Sequence, residues 1–153
     1  IRGAYHFYRP SVHSSEQAEL FLETLDLQPG DLPPVLDLEV TDGRPPKIIR
    51  QGVQNWMNIV EERTGIRPIL YTMRTFANDY LPRKMGKYPL WIASLRSHPP
   101  RPPRGWSSWT FWQYDHHGHL NGIDEEVDLN YFFGTVAQLK ALCVPAAEVL
   151  RSK

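Results

Sequence analysis

The sequence has a single cysteine, no net charge and no long apolar run, and each shortage excludes a class of protein. Cys143 is the only cysteine among 153 residues, so no internal disulfide can form. Lys plus Arg and Asp plus Glu number 17 each, which leaves no overall field to attract nucleic acid or an anionic membrane. No stretch of about 18 apolar residues occurs either. We therefore expect neither a nucleic-acid partner nor a membrane partner.

What is present fits one globular domain. At 153 residues and 41% hydrophobic content, the chain is long enough to enclose a sizeable core. We assign residues 1–143 to this domain and residues 144–153 to a C-terminal tail. A strand begins near the first residue without a charged and apolar leader, so no signal peptide is predicted. Aromatic residues make up 12% of the chain, which suits either a groove for sugars or an aromatic core.

Strand-like and helix-like segments alternate along the sequence. Strands are predicted at residues 4–8, 33–40, 68–72, 89–94, 109–114 and 127–132. Helices are predicted from residue 15, from residue 46, at 75–80 and at 135–142, and Ser14 and Gln17 have the spacing of a capping box. This order predicts an α/β fold with a parallel sheet and right-handed crossovers. The last two strands are joined by a polar loop and are expected to form an antiparallel hairpin.

A pair of carboxylates interrupts the second predicted strand. Asp37 and Glu39 lie two residues apart, so a strand places both on one face while Leu36 and Leu38 point to the other. Desolvation and mutual repulsion oppose ionising both acids, which raises the pKa of one and leaves the other charged. Glycoside hydrolysis needs that division of labour. The carboxyl end of a parallel strand favours an active site, although a solvated strand end fits the same spacing.

Three further features each allow two interpretations. Asp128 lies between apolar residues in the last strand and could serve the site or form a buried ion pair with an arginine. His6 suits a hydrogen-bonded core position better than a catalytic one. The run from Asp115 to His119 holds three histidines, but their spacing matches no strong ligand pattern, and a polar hairpin tip explains them. We therefore predict no metal and no other cofactor.

Six blocks of sequence resemble, in order and spacing, the strand motifs of the glycoside hydrolase family 25 lysozymes. The blocks are residues 3–8 (GAYHFY), 34–39 (PVLDLE), 69–72 (ILYT), 90–93 (LWIA), 111–114 (FWQY), and 122–123 (GI) with 127–130 (VDLN). The family consists of N-acetylmuramidases of bacteria, fungi and phages, which cut the β-1,4 bond between N-acetylmuramic acid and N-acetylglucosamine. The resemblance implies a lysozyme on an irregular TIM-like (β/α) barrel, with peptidoglycan glycan strands as its partner. It also implies action on the cell wall, after secretion or release by a phage, and an antimicrobial effect.

The same resemblance implies roles for particular residues. Glu39 would be the general acid that protonates the leaving glycosidic oxygen. Asp37 would assist, by stabilising either the substrate's own N-acetyl group as nucleophile or an attacking water, so retention and inversion both stay open. The residues expected to bind the substrate are Tyr5, Phe7, Tyr71, Trp91, Gln113, Tyr114 and Asp128.

The first block of this sequence corresponds to a later strand of the family. Members of the family open with a strand carrying an Asp-x-Ser type motif and then a second strand, and only then a block like the one that begins here at Gly3. We therefore expect six strands where the family has eight, in a barrel that is either truncated at its N-terminal side or incomplete. A dimer or a second chain could complete the sheet beside residues 4–8.

Three hypotheses of function follow. The first is a muramidase, based on the acid pair and the six blocks. The second is an inactive glycan-binding remnant, based on the missing first strands. The third is a metal-dependent hydrolase that uses Asp37, Glu39, His6 and the histidine run.

Overall fold

The computed structural model describes residues 1–145, and its strands and helices alternate as predicted. The strands are β1 (Tyr5–Phe7), β2 (Val35–Leu38), β3 (Ile69–Met73), β4 (Leu90–Ala93), β5 (Phe111–Gly118) and β6 (Val127–Phe132). The helices are α1 (Ser14–Thr24), α2 (Pro46–Thr64), α3 (Arg74–Tyr80) and α4 (Val136–Leu142). A 3-10 helix at Arg83–Lys87 was not predicted. Most of the predicted tail, residues 146–153, lies outside the described residues.

All six strands form one sheet in the order of the sequence. The pairs from β1 to β5 are parallel, and β5 pairs with β6 antiparallel. The sheet curls into a half-barrel, so the predicted incomplete TIM-like α/β fold with a terminal hairpin is confirmed. No helix among the described residues is both long enough and apolar enough to cross a bilayer.

The convex face of the sheet carries the larger core. Leu36, Leu38, Leu70 and Ile92 are all 0% exposed and belong to one cluster with the helices. The face of α2 predicted from its periodicity is buried in the same cluster, with Ile49, Val53, Trp56, Met57 and Val60 each 0% exposed. Burial of each such side chain stabilises the fold by about 1.5–3 kcal/mol. Helices α1, α2 and α3 therefore pack against the convex face of the sheet, and the concave face is not covered by them.

The concave face has a smaller apolar floor. Val35, Ile69 and Phe111 are buried there, and Leu139 and Leu142 of α4 pack against them. Val144 lies in the predicted tail, yet it is 3% exposed and its backbone hydrogen-bonds to Gly30 and Asp31 at 2.9 and 2.8 Å. The chain after α4 thus closes the amino end of the concave side and leaves the carboxyl end open.

The predicted capping box at α1 is wrong. Helix α1 has His13 as its N-cap and no side-chain cap. Gln17 is buried instead, and its amide bonds to the His6 ring at 3.0 Å and to the backbone N–H and C=O of Arg9, both at 2.9 Å. These bonds satisfy backbone polar groups of the turn between β1 and α1. The Gln17 side chain is therefore not available to cap α1.

An ion pair ties together the loops that follow β1 and β2. The Arg9 guanidinium donates to both carboxylate oxygens of Asp42 at 2.9–3.1 Å. The Ser11 backbone N–H and hydroxyl donate to the same group at 3.1 and 2.8 Å. Hydrogen bonding from Arg9, supported by Ser11, lowers the pKa of Asp42 to about 2. Both loops lie at the carboxyl ends of their strands, so this contact fixes one rim of the open end.

Replacing Asp42 with Asn should remove a stabilisation that exists only while the carboxylate is charged. The pKa of Asp42 is about 2 when folded and 3.8 ordinarily, so the wild type should be more stable near neutral pH. The stability difference between the wild type and Asp42→Asn should shrink as the pH falls from 3.8 to about 2. Thermal unfolding of both proteins between about pH 7 and pH 2 measures the difference. Asp124→Asn, which changes an exposed acid, is the control, and an Asp42→Asn difference that does not vary with pH contradicts the prediction.

Candidate active site

Strand β2 supplies the acid pair at the open end of the concave face. Leu36 and Leu38 point into the convex core, so the intervening Asp37 points to the concave side, and Glu39 follows on the same side. Both line a cavity of about 360 Å³. Its lining residues are Gly3, Ala4, Tyr5, Leu32, Val35, Asp37, Glu39, Tyr71, Trp91, Gln113, Asp128 and Asn130. Six strands and the segments beside them therefore converge on the two carboxylates.

The setting of Asp37 favours its protonated form. Burial, followed by the charge of Glu39, raises the pKa of Asp37 to about 7. Its Oδ1 atom is buried and has no hydrogen-bond partner among the described residues. A buried oxygen without a partner is costly, and a donor brought by a ligand would relieve that cost. Asp37 is thus a proton carrier near neutral pH and an open acceptor.

Tyr71 of β3 and Gln113 of β5 form a hydrogen-bonded part of the cavity wall. The Tyr71 hydroxyl donates to the side-chain oxygen of Gln113, which is 7% exposed. Burial raises the pKa of the Tyr71 phenol well above its usual range, and the charges of Glu39 and Asp37 add to the effect. The phenol therefore stays protonated. The Gln113 amide nitrogen makes no hydrogen bond with a described residue, so it is available to donate to a ligand.

Trp91 is held by groups on two sides. Its indole N–H donates to the side-chain oxygen of Asn130 at 2.8 Å, and its ring stacks on Phe111 with centroids 4.7 Å apart. Asn130 was not predicted as a site residue. A signal was available, because Asn130 lies two residues after Asp128 in β6 and so shares its face of the strand. The fixed indole presents an apolar surface at the cavity wall.

Comparison with known proteins identifies the family of this chain. The sequence model described as glycosyl hydrolases family 25 matches residues 1–123, which is most of the chain. The chain belongs to glycosyl hydrolase family 25. The resemblance carried by the six sequence blocks is therefore confirmed.

Individual relatives agree with this assignment. The uncharacterised protein YegX of Escherichia coli K12 is 41% identical over 141 residues, which cover 92% of this chain and 51% of YegX. Lysozyme M1 of Streptomyces globisporus is 34% identical over 155 residues, with 93% and 53% covered. The structure of a lysozyme from Streptomyces coelicolor matches with a TM-score of 0.87 at 33% identity, covering 94% of this chain and 72% of that one. The chain spans about half the length of the curated relatives it matches.

Most of the predicted site residues of this family 25 chain meet at the cavity, but two do not. Tyr5, Tyr71, Trp91, Gln113 and Asp128 line it together with the acid pair. Tyr114 lies on the convex face, where its ring stacks on Tyr131 with centroids 4.5 Å apart and packs against the larger core. Phe7 is 42% exposed on the edge strand and is not part of the cavity lining. The position of Tyr114 does not support its predicted contact with substrate. Phe7 shares the concave face with Tyr5 and is in register with Asp37, so its predicted contact remains a prediction.

Asp128 and Tyr5 lie at the margins of the cavity. Asp128 is exposed and makes no ion pair with a described residue, so the buried pair with an arginine does not occur there. Tyr5 is 69% exposed because no described strand covers the outer edge of β1. The cavity is therefore open towards that edge.

His6 and His117, which the metal-dependent hypothesis includes, lie against other groups in this family 25 chain. His6 is on the convex face, stacked on Trp56 with centroids 5.9 Å apart, so it cannot join Asp37 in a metal site. His117 Nδ1 lies 2.5 Å from a Glu126 carboxylate oxygen, and that hydrogen bond raises the pKa of His117. Within residues 1–145 no three His, Cys, Asp or Glu side chains are grouped to hold a metal ion. The metal-dependent hypothesis thus loses the ligand set on which it depended.

Replacing Asp37 with Asn should change how stability varies with pH. The pKa of Asp37 is raised from 3.8 to about 7 by folding, so its ionisation opposes folding as the pH rises between those values. Below pH 3.8 the Asp37 carboxyl is protonated in both the folded and the unfolded state, so the stabilities of wild type and variant differ only through their contacts. Above that window, the variant should gain at least about 1 kcal/mol on the wild type, a figure discounted because the group is partly open to solvent.

Chemical denaturation of both proteins at several pH values across that window measures this gain. Asp124→Asn, the same change at an exposed acid, should show no comparable gain. If the difference between wild type and Asp37→Asn is the same at both ends of the window, the raised pKa of Asp37 is wrong.

Proposed function

We propose that this chain is a lysozyme that hydrolyses the β-1,4 bond between N-acetylmuramic acid and N-acetylglucosamine in peptidoglycan. The observation that carries the proposal is the acid pair in the open cavity, where Asp37 has a pKa of about 7 and an unpartnered buried oxygen. Enzymes that cleave glycosides use two carboxyl groups in different protonation states. Peptidoglycan glycan strands are then the partner, and the cell wall is the place of action.

Membership of family 25 supports the same substrate. The relatives named as lysozymes include one from Streptomyces globisporus and one from Streptomyces coelicolor. The proposal brings that activity to this chain because the cavity holds the groups the reaction needs. It requires no metal, since proton transfer and positioning can be assigned to side chains of β2 to β6.

In the proposed reaction, binding of the substrate transfers a proton from Asp37 to Glu39. Asp37 keeps its proton up to about neutral pH. When the acetamido N–H of the sugar donates to the buried Asp37 oxygen, the ionised form is favoured and the proton passes to Glu39. Glu39 then protonates the glycosidic oxygen while the bond from that oxygen to C1 breaks. On the N-acetyl route the acetamido oxygen bonds to C1 as the leaving oxygen departs, and water then replaces it at C1 and gives its proton to Glu39. On the direct route the attacking water supplies the hydroxyl on C1 and gives its proton to Asp37.

Asp37 has the second role in this scheme. As a carboxylate beside C1 it orients the N-acetyl oxygen, or a water molecule, for attack. These two routes give opposite configurations at C1, so the anomer first released distinguishes them. Retention supports the N-acetyl route and inversion supports direct attack by water.

The other lining residues position the sugars. The Trp91 ring offers an apolar face for a pyranose, and its orientation is fixed by Asn130. The Gln113 amide donates to a ring substituent while Tyr71 holds the amide oxygen. Asp128 and Tyr5 contact the sugars at the two margins of the cavity. Phe7 lies on the same face of β1 as Tyr5 and is in register with Asp37, so it contacts sugars at the edge of the groove. Tyr114 points to the convex face and is not part of the groove.

Replacing Glu39 with Gln should abolish most of the activity, because the amide cannot give a proton to the leaving oxygen. We expect release of reducing ends from purified peptidoglycan to fall by at least about 100-fold. Clearing of bacterial cell walls, followed as turbidity, should fall in parallel. Glu62→Gln makes the same change at an exposed position of α2 and should leave both rates unchanged. Equal clearing by wild type and Glu39→Gln would exclude the assigned role of Glu39.

A chain that binds glycan without cleaving it is the second candidate. It is favoured by the outer edge of β1, which pairs with no described strand and leaves the cavity open beside Tyr5. It predicts saturable binding to insoluble peptidoglycan with no new reducing ends. A second copy or another chain that pairs with β1 would close this side, and activity should then rise with protein concentration or on addition of that chain.

A further inference from the structure

The groove continues beyond the acid pair into a second cavity of about 600 Å³. The two cavities share Glu39, Tyr71, Gln113 and Asp128, which therefore form the boundary between them. Beyond this boundary the lining includes Arg74, Leu95, Arg96 and His116. We refer to this second cavity as the basic chamber, after Arg74 and Arg96.

Charge is divided between the two cavities. The acids Glu39 and Asp128 stand at the boundary, whereas the formally charged residues found only in the basic chamber are Arg74 and Arg96. His116 adds an imidazole to the same side. A ligand that extends from the acid pair into the basic chamber thus meets acids first and then cations.

The two arginines of the basic chamber are not used by the fold. Arg2, Arg9, Arg63 and Arg67 each form an ion pair with an acid of the described chain. Arg74 and Arg96 form no ion pair or side-chain hydrogen bond with any described residue, and both are exposed. An unpaired guanidinium keeps all its donors available for a carboxylate, which it binds through two parallel hydrogen bonds.

The topology explains why these residues converge. Arg74 follows β3 directly, Arg96 follows β4, and His116 lies in the second half of β5. These strands are neighbours in the sheet, and β3, β4 and β5 run parallel, so their carboxyl-terminal ends meet at one edge. The chamber is consequently built on the same rim as Glu39, one strand further along.

We propose that the basic chamber binds a carboxylate attached to the glycan, next to the bond that is cleaved. This inference rests on the proposed function, because it names the charged substituent that the same groove recognises. Two sources supply the chemistry in peptidoglycan: the lactyl carboxylate of N-acetylmuramic acid itself, and the acidic peptide linked to it. Leu95, which is 53% exposed at this cavity, offers an apolar contact to whichever chain carries the charge.

Direct binding tests the proposal with the Glu39→Gln protein, in which no ligand is consumed. The ligands are glycan strands with their peptides, strands freed of peptides so that the lactyl carboxylate is exposed, and neutral chitooligosaccharides. Arg74→Gln/Arg96→Gln should bind the carboxylate-bearing ligands about fivefold more weakly and the neutral ligand equally well. Added salt should weaken binding of the charged ligands to the parent protein more than to the double variant.

Matched variants separate this effect from a general loss of binding. Arg83→Gln changes an exposed arginine in the 3-10 helix before β4, at the other end of the sheet, and should bind all three ligands normally. Arg74→Lys/Arg96→Lys keeps the charge and should recover part of the affinity. A loss confined to strands with peptides assigns the chamber to the peptide carboxylates. A loss that includes the peptide-free strands assigns it to the lactyl group.

Equal binding of all three ligands by Arg74→Gln/Arg96→Gln and Arg83→Gln would overturn the proposal. So would an equal loss for neutral and charged ligands. Failure of the proposed function looks different: the wild-type chain would release no reducing ends from any of the three ligands. Because binding is measured without cleavage, each of these results can be obtained independently of the other.

Discussion

The alternation of side chains along β2 is the constraint on which the rest of the structure depends. Leu36 and Leu38 are fully buried against the helices, and this fixes the strand so that Asp37 must face the concave side. A shift of one residue would place the acid in the apolar core and two leucines in the groove. The free energy that holds the sheet to its helices is thus the same free energy that positions the acid pair. Core and site are two faces of one short strand.

The acid pair also shows how the fold tolerates charge where burial opposes it. The half-barrel leaves its carboxyl end open, so the carboxylates are only partly desolvated, and the pKa of Asp37 rises to about 7 instead of far beyond it. The neighbouring donors are committed elsewhere: Tyr71 to Gln113 and Trp91 to Asn130. Because these bonds are made within the protein, the oxygen of Asp37 is left for a ligand. The side chains around the acid pair are therefore held in place by hydrogen bonds to one another and not by hydrogen bonds to Asp37.

Much of this could be predicted from the sequence, and the failures have identifiable causes. The alternation of strands and helices and the buried face of α2 follow from local periodicity, and the hairpin follows from the short polar loop between the last two strands. Tyr114 was assigned to the groove although it directly follows Gln113, and in a strand such neighbours face opposite sides. Gln17 was assigned to a cap because its bonds to the turn after β1 depend on tertiary contacts. Asn130 was missed although it shares a strand face with Asp128, because its hydrogen bond to Trp91 joins residues that are distant in sequence.

The hairpin of β5 and β6 has a consequence for how this fold can change. Its pairing is interrupted between Gln113 and Asp115 and again between Asp115 and Gly118, so the register beyond Gln113 is decoupled from the register at the groove. Residues 119–126 join the strands at an exposed tip. Insertions or exchanged loops at that tip can therefore extend one wall of the groove without moving the acids on β2. The hairpin is the position at which we expect the fold to accept new specificity, by lengthening a wall and leaving the chemistry in place.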